Sequence, residues 1–172
     1  MGVYYRLIFL DIDGVLNTGR YSKILYHEYL KVNEDVIKRA KAGEKVSSDE
    51  YDYSNYRDKY GHIFDPKSVE VLRQIIERTG AKIIISSTWR ASGLDVMKNM
   101  WKDRNLPGEV IDVTCHSTDR VRGFEIRQYL LNKTNWFWQD DPHDDKMNVH
   151  SYLILDDDLD MLISQQDHFI CT

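Results

Sequence analysis

Asp11 and Asp13 stand one residue apart at the end of the apolar run Leu7, Ile8, Phe9, Leu10, and Gly14 follows them. A strand that leads out of a core into two carboxylates is costly, because charge near apolar surroundings is poorly solvated. A metal ion, a chemical step or simple exposure on a loop could offset that cost. In an extended segment residues i and i+2 point the same way, so Asp11 and Asp13 can share one pocket while Ile12 packs opposite. Gly14 lets the backbone turn and approach a ligand closely. Neighbouring carboxylates repel, which raises one pKa, and a divalent cation would hold one of them ionised. One carboxylate can then attack phosphorus while the other donates or takes a proton.

The elements that must position these groups follow from the apolar pattern. Five segments read as strands: Tyr5–Leu10, then residues 81–87, 109–114, 151–156 and 168–172. The second, AKIIISS, is a continuous apolar run of the buried parallel type. Helices fall between them. The clearest is DPKSVEVLRQIIERTG, with Asp65 as cap, Pro66 in the first turn, Gly80 at the exit and Val69, Leu72 and Ile76 on one face. Further helices are expected over residues 94–102 and 124–132. Strands alternating with helices predict an α/β domain: a Rossmann-like three-layer arrangement around a mostly parallel sheet.

Two segments break that rhythm. Residues 18–62 form a long insertion after the first strand, helical over 21–43 and then polar and tyrosine-rich. It is expected to be surface elaboration or, because it leaves from the end of the Asp11 strand, a small cap or lid within a single domain spanning 1–172. Residues 133–148 form a shorter insertion. Its Trp136, Phe137 and Trp138 could stack on bases or anchor the segment. Tyr51, Tyr53, Tyr56 and Tyr60 carry the same two readings.

In a doubly wound sheet, ligands collect at the carboxyl ends of the strands. Those ends carry Asp11 and Asp13, then Ser86, Ser87, Thr88, Trp89 and Arg90, then the loop STDRVRG, then Asp156, Asp157 and Asp158 with Asp160 behind. Carboxylates, hydroxyls and guanidinium groups on one rim are the inventory for binding magnesium and a phosphate together. Each has a plainer reading. A lone DxD is usually an exposed turn, and it also grips metal in nucleotide-sugar transferases, which need a larger nucleotide-binding domain. Asp156–Asp160 could be a solvated acidic turn capping a helix. Ser87 and Thr88 read as caps and Trp89 as packing, while Arg90 either reaches a substrate or pairs with a core carboxylate.

The whole-chain numbers set limits. A chain of 172 residues supports one domain with a real core. The net charge of −5 gives no general attraction to nucleic acid or to an anionic membrane, though a local basic groove stays open. Cys115 and Cys171 are far apart and read as thiols, and the six histidines have no metal-ligand spacing with them. The opening MGVYYRLIFLD has too short an apolar run for a secretory signal, and no run approaches membrane-spanning length. The expectation is a cytoplasmic protein without a membrane partner.

FLDIDGVLN, IIISSTWR and LILDDDLD together resemble the haloacid dehalogenase-like (HAD) superfamily, whose hallmark DxDx[TV] reads here as Asp11, Ile12, Asp13, Gly14, Val15. The stretch FDPKSVEVLRQIIERTGAKIIISSTWR, with RGFEIRQYL and DDD, is most similar to the HAD-type domains of Swiss-army-knife RNA-repair proteins. The resemblance implies a Mg2+-dependent phosphatase that hydrolyses a phosphate monoester through an aspartyl-phosphate. Asp11 would be the nucleophile and Asp13 the acid and base. Ser86 would hydrogen-bond the phosphoryl group, with Arg90 a further candidate, and Arg122 would neutralise its charge, with Arg120 as rival. Asp157 would complete the magnesium shell with Asp11 and the backbone carbonyl of Asp13, and Asp156 is the alternative ligand. The implied substrate is a nucleotide or a nucleic-acid terminal phosphate. The alternatives are a small phosphorylated metabolite, or a phosphate- or metal-binding module without turnover.

Overall fold

The computed structural model describes residues 3–137 and 146–172. Trp138, His143 and the rest of residues 138–145, the middle of the shorter insertion, lie outside them. In chain order the elements are β1 (Tyr5–Leu10), α1 (Gly19–Val32), α2 (Glu34–Lys41), β2 (Arg57–Asp58), β3 (Gly61–His62), α3 (Pro66–Thr79), β4 (Lys82–Ile85), α4 (Leu94–Asp103), β5 (Val110–Val113), α5 (Arg122–Lys133), β6 (Val149–Asp156) and β7 (Phe169–Cys171). The chain divides into two compact units, residues 1–16 with 67–172, and Asn17–Pro66. Among the described residues no helix is long and apolar enough to cross a membrane.

The first unit is the α/β body. Its five strands are all parallel, in the order β5-β4-β1-β6-β7. β1 is central, and Leu7, Ile8, Phe9 and Leu10 are all essentially inaccessible. Burial on both faces explains why β1 and β4 read as unbroken apolar runs rather than alternating ones. One face is covered by α5: Ile126, Tyr129 and Leu130 pack with Leu7, Phe9, Ile84 and Ile154. Phe9 meets Tyr129 and Tyr152 edge-on, at 5.5 and 5.9 Å between ring centres. The chain order turns back at β1, with β4 on one side and β6 on the other, so the switch point lies at the carboxyl end of the Asp11 strand. Trp136 packs edge-on against Tyr152 at 4.9 Å, the anchoring use of that residue.

The second unit is organised around Asn33 and Tyr29. Thr18 caps α1, its Oγ1 accepting from the Tyr21 amide at 3.2 Å. The helix expected to run through residues 21–43 is interrupted at Asn33, which is buried. The Asn33 amide donates to the carbonyls of Tyr29 and Asp52 and accepts from the Asp52 amide at 2.7 Å. Those bonds latch the tyrosine-rich segment to the helices and account for the break. Tyr29 then stacks against Tyr51 and Tyr53 and packs on Tyr26 and Tyr56, so these rings form an aromatic cluster at the unit's surface, half-buried except for the exposed Tyr26. β2 and β3 close a two-residue antiparallel ladder beside it.

Candidate active site

The strand ends set the first four positions. The Asp11 amide donates to Leu155 O, the Ser86 amide to Leu10 O and the Thr114 amide to Ile85 O, each at 2.9–3.0 Å, so the ladder continues one step past β1, β4 and β5. The register that pairs Leu10 with Ile85 and with Leu155 places Asp11 between Ser86 and Asp156. Asp11 is 5% exposed, and Ser86 and Asp156 are fully buried. After Asp11 the chain leaves the extended path: Leu16 N donates to Ile12 O in a tight turn, and Gly14 has φ +82°. That turn separates the two aspartates. Asp11 points inward, whereas Asp13 is exposed and accepts from Trp89 Nε1 at 2.8 Å.

Gly14 answers two demands. Its positive φ strains any other residue, and a Cβ there would sit 2.1 Å from the Asp157 carboxyl carbon. Asp157 is exposed and lies over this turn. Carboxylate oxygens of Asp11, Asp156 and Asp157 come within 4.8 Å of one another. The Asp13 carboxylate is outside that group.

Arg122 opens α5 and bridges two of the three acids. Its Nη2 donates to Asp11 Oδ1 at 3.2 Å, and its Nε lies 3.1 Å from Asp156 Oδ2. The helix start is fixed by the loop after β6. Asp160 Oδ2 accepts from the Arg122 amide at 2.8 Å, and the Gln165 side chain donates to Gly123 O at 2.9 Å. Asp160 is thus a cap, as the plainer reading of the acidic run has it. Gly123 is required by proximity, since a Cβ there would meet Leu162 N at 2.6 Å. Arg120, two residues earlier, is exposed and has φ +53°.

Charge is unbalanced at this rim. Three carboxylates face one guanidinium. Burial, reinforced by Asp156, pushes Asp11 up from 3.8 to about 7, against the opposing pull of Arg122 and a hydrogen bond from Ser87. Burial likewise pushes Asp156 up to about 6. Acidic groups held this far from their ordinary range, converging through hard oxygen donors alone, fit a small divalent cation of the Mg2+ type. Among the described residues the buried hydroxyls of Ser86 and Thr114 have no hydrogen-bond partner, so Ser86 Oγ has donor capacity to spend at this rim.

Arg90 takes the core-carboxylate option of its two readings. Its guanidinium is buried, paired with Glu125 and bonded to the carbonyls of Ser86 and Ser87. Glu125 in turn accepts from the Ser117 amide at 2.9 Å, tying the loop before α5 to the end of β4. Sequence reasoning did not single out Glu125, whose position in the first turn of a helix reads as ordinary dipole complementation. It also missed the Trp89 contact to Asp13. An indole N–H on a half-buried ring, which needs an acceptor, is the signal that could have found it.

No curated protein and no solved structure matches the chain. Residues 7–172 match the family described as the HAD domain in Swiss Army Knife RNA repair proteins, and the chain belongs to that family.

Proposed function

We propose that this HAD domain is a phosphatase that hydrolyses a phosphate monoester through a phosphorylated Asp11, on a nucleotide or the terminal phosphate of a nucleic acid. Membership of the family supports phosphatase-type hydrolysis, and its description supports the substrate class. The observation that carries the reading is the Asp11–Arg122–Asp156 bridge beside Asp157 and the unpartnered Ser86 hydroxyl. Asp11, Asp156 and Asp157 would hold Mg2+, which when bound supplies charge neutralisation for Asp11 and for the phosphoryl oxygens.

The residues then divide the work. An Asp11 oxygen attacks phosphorus, forming the acyl-phosphate bond as the ester P–O bond breaks. Arg122 lies against Asp11 and offers a planar donor set to the equatorial oxygens. Ser86 Oγ donates to one of those oxygens. Asp13, at the rim and steadied by Trp89, protonates the leaving oxygen and then takes a proton from the water that releases phosphate. The insertion Asn17–Pro66 leaves the chain directly after this turn, and we assign it the role of a cap.

The test is hydrolysis of p-nitrophenyl phosphate with and without magnesium. Wild type is expected to turn over only with the metal, and Asp11→Asn to fall to background. Equal rates for the two proteins would falsify the proposal. Oligonucleotides phosphorylated at the 3′ or 5′ end, compared with mononucleotides, then test the substrate class; neglect of all of them removes it.

A further inference from the structure

A cleft of about 560 Å³ opens beside Arg122 within the α/β body, walled by Thr88, His116, Thr118 and Arg120 together with the Arg90–Glu125 pair. That volume falls in the range of small-molecule sites, roughly 300–1,000 Å³, and a lone phosphoryl group would leave most of it empty. The nitrogen-bearing side chains on its wall differ in what they already do. Arg122 is engaged with Asp11 and Asp156, and Arg90 with Glu125. Arg120 and His116 have no side-chain hydrogen bond or ion pair among the described residues. The carboxylate on the wall, Glu125, is neutralised by Arg90, and Asp119 of the same loop is exposed and not part of the wall.

The loop that presents Arg120 is built rather than loose. Arg120 sits at φ +53°, a conformation non-glycine residues rarely adopt, in a turn closed by its amide donating to Ser117 O at 3.2 Å. Ser117 is itself held by Glu125. Backbone strain of this kind persists where the surroundings over-determine it. Here its effect is to set a guanidinium two residues from Arg122, on the cleft side of the reaction centre.

We propose that Arg120 and His116 form a subsite for a second phosphate, so that preferred substrates carry another phosphate or phosphodiester next to the monoester that is cleaved. The inference rests on the phosphatase reading for the identity of the reacting group. Arg120 offers a fork of donors to two phosphate oxygens, and His116 donates from a ring nitrogen. A local cationic cleft also reconciles an overall charge of −5 with a polyanionic substrate. The second phosphate could belong to a bisphosphorylated small molecule or to the internucleotide link of a nucleic-acid end.

Four substrates separate these sources: a nucleoside monophosphate, a nucleoside 3′,5′-bisphosphate, a sugar bisphosphate and a dinucleotide with a terminal phosphate. The expected result is kcat/KM at least about tenfold higher for two-phosphate substrates than for the monophosphate, the scale of one charge-assisted contact. Preference for the dinucleotide assigns the diester, and preference for both bisphosphates alike assigns the second phosphate by itself. Arg120→Ala is expected to lower the ratio of kcat/KM for the preferred substrate to that for p-nitrophenyl phosphate about tenfold, and His116→Ala to lower it in the same direction. No preference in wild type, or an unchanged ratio in both variants, overturns the subsite. If p-nitrophenyl phosphate is not hydrolysed at all, the phosphatase reading fails separately. Calorimetric binding of the nucleoside bisphosphate to Asp11→Asn, with and without Arg120→Ala, still decides the subsite: equal affinity sinks it, and about tenfold weaker binding supports it.

Discussion

Trp89 Nε1 donates to Asp13 Oδ2 across a sequence gap of 76 residues, and in the proposed reaction that contact would set how the rim carboxylate meets a leaving group. Trp89→Phe keeps an aromatic ring, though a smaller one, and deletes the donor. One such bond is worth about 0.5–1.5 kcal/mol, so kcat is expected to fall up to about tenfold while KM stays near its wild-type value. Steady-state kinetics on p-nitrophenyl phosphate reads this directly, and a change confined to KM would remove Trp89 from the positioning of Asp13. At this scale the sequence was informative where neighbours in the sheet are consecutive strand ends. Asp11, Ser86 and Asp156 each close an apolar run, and parallel pairing alone sets them side by side. It was silent where the partner lies on a helix of unknown phase. Arg90 and Glu125 are 35 residues apart, and only the folded chain joins them. Which of Arg120 and Arg122 lies against Asp11 likewise depends on the helix start, which the Asp160 cap and the Gly123 contact determine.

Helix α5 carries Arg122, which lies against Asp11, and Glu125 on the wall of the cleft, so in the proposed reaction its seating would couple packing to chemistry. Gly123→Ala would force a methyl against Leu162 N, a backbone atom, at 2.6 Å. Overpacking of this kind costs about 1–3 kcal/mol, which for a protein of this size lowers Tm by roughly 2–4 °C per kcal/mol. The helix start must shift to relieve the contact, and Arg122 shifts with it. Activity at a temperature where the variant is fully folded is therefore expected to drop as well. Wild-type Tm together with wild-type kcat/KM would show that the contact is easily relaxed. A second test addresses the Arg90–Glu125 pair. Glu125→Ala leaves a buried guanidinium without its anion, at a cost of about 3–5 kcal/mol. The loss appears in thermal or denaturant unfolding, and wild-type stability would argue that water reaches Arg90. Element existence was legible throughout the body: every expected strand is present, β1 with the expected bounds and the others shortened or extended by one or two residues at their ends. The insertion was less legible because its helical pattern runs on through Asn33. A buried amide bonded to Asp52, 19 residues later, breaks it.

For the molecule as a whole, the acidic rim is a stability debt whose size depends on pH. Asp11 is held at about 7 and Asp156 at about 6, both above the ordinary 3.8 of an unfolded chain. The folded protein therefore binds more protons than the unfolded one between those limits. Their contribution to stability is fully present below about pH 4 and is lost as pH rises through 6 to 7. The metal-free protein is thus expected to be less stable at pH 8 than at pH 5.5 on account of these two groups. A cation that binds the ionised carboxylates of the folded state alone stabilises by mass action, and it must displace protons to do so at low pH. Magnesium should accordingly raise Tm more at pH 8 than at pH 5.5, and Asp11→Asn should shrink both the pH trend and the magnesium shift. Differential scanning fluorimetry at the two pH values, with magnesium or chelator, measures all four quantities. A magnesium shift of the same size at both pH values, or one that survives Asp11→Asn in full, would mean that the ion acts elsewhere on the protein.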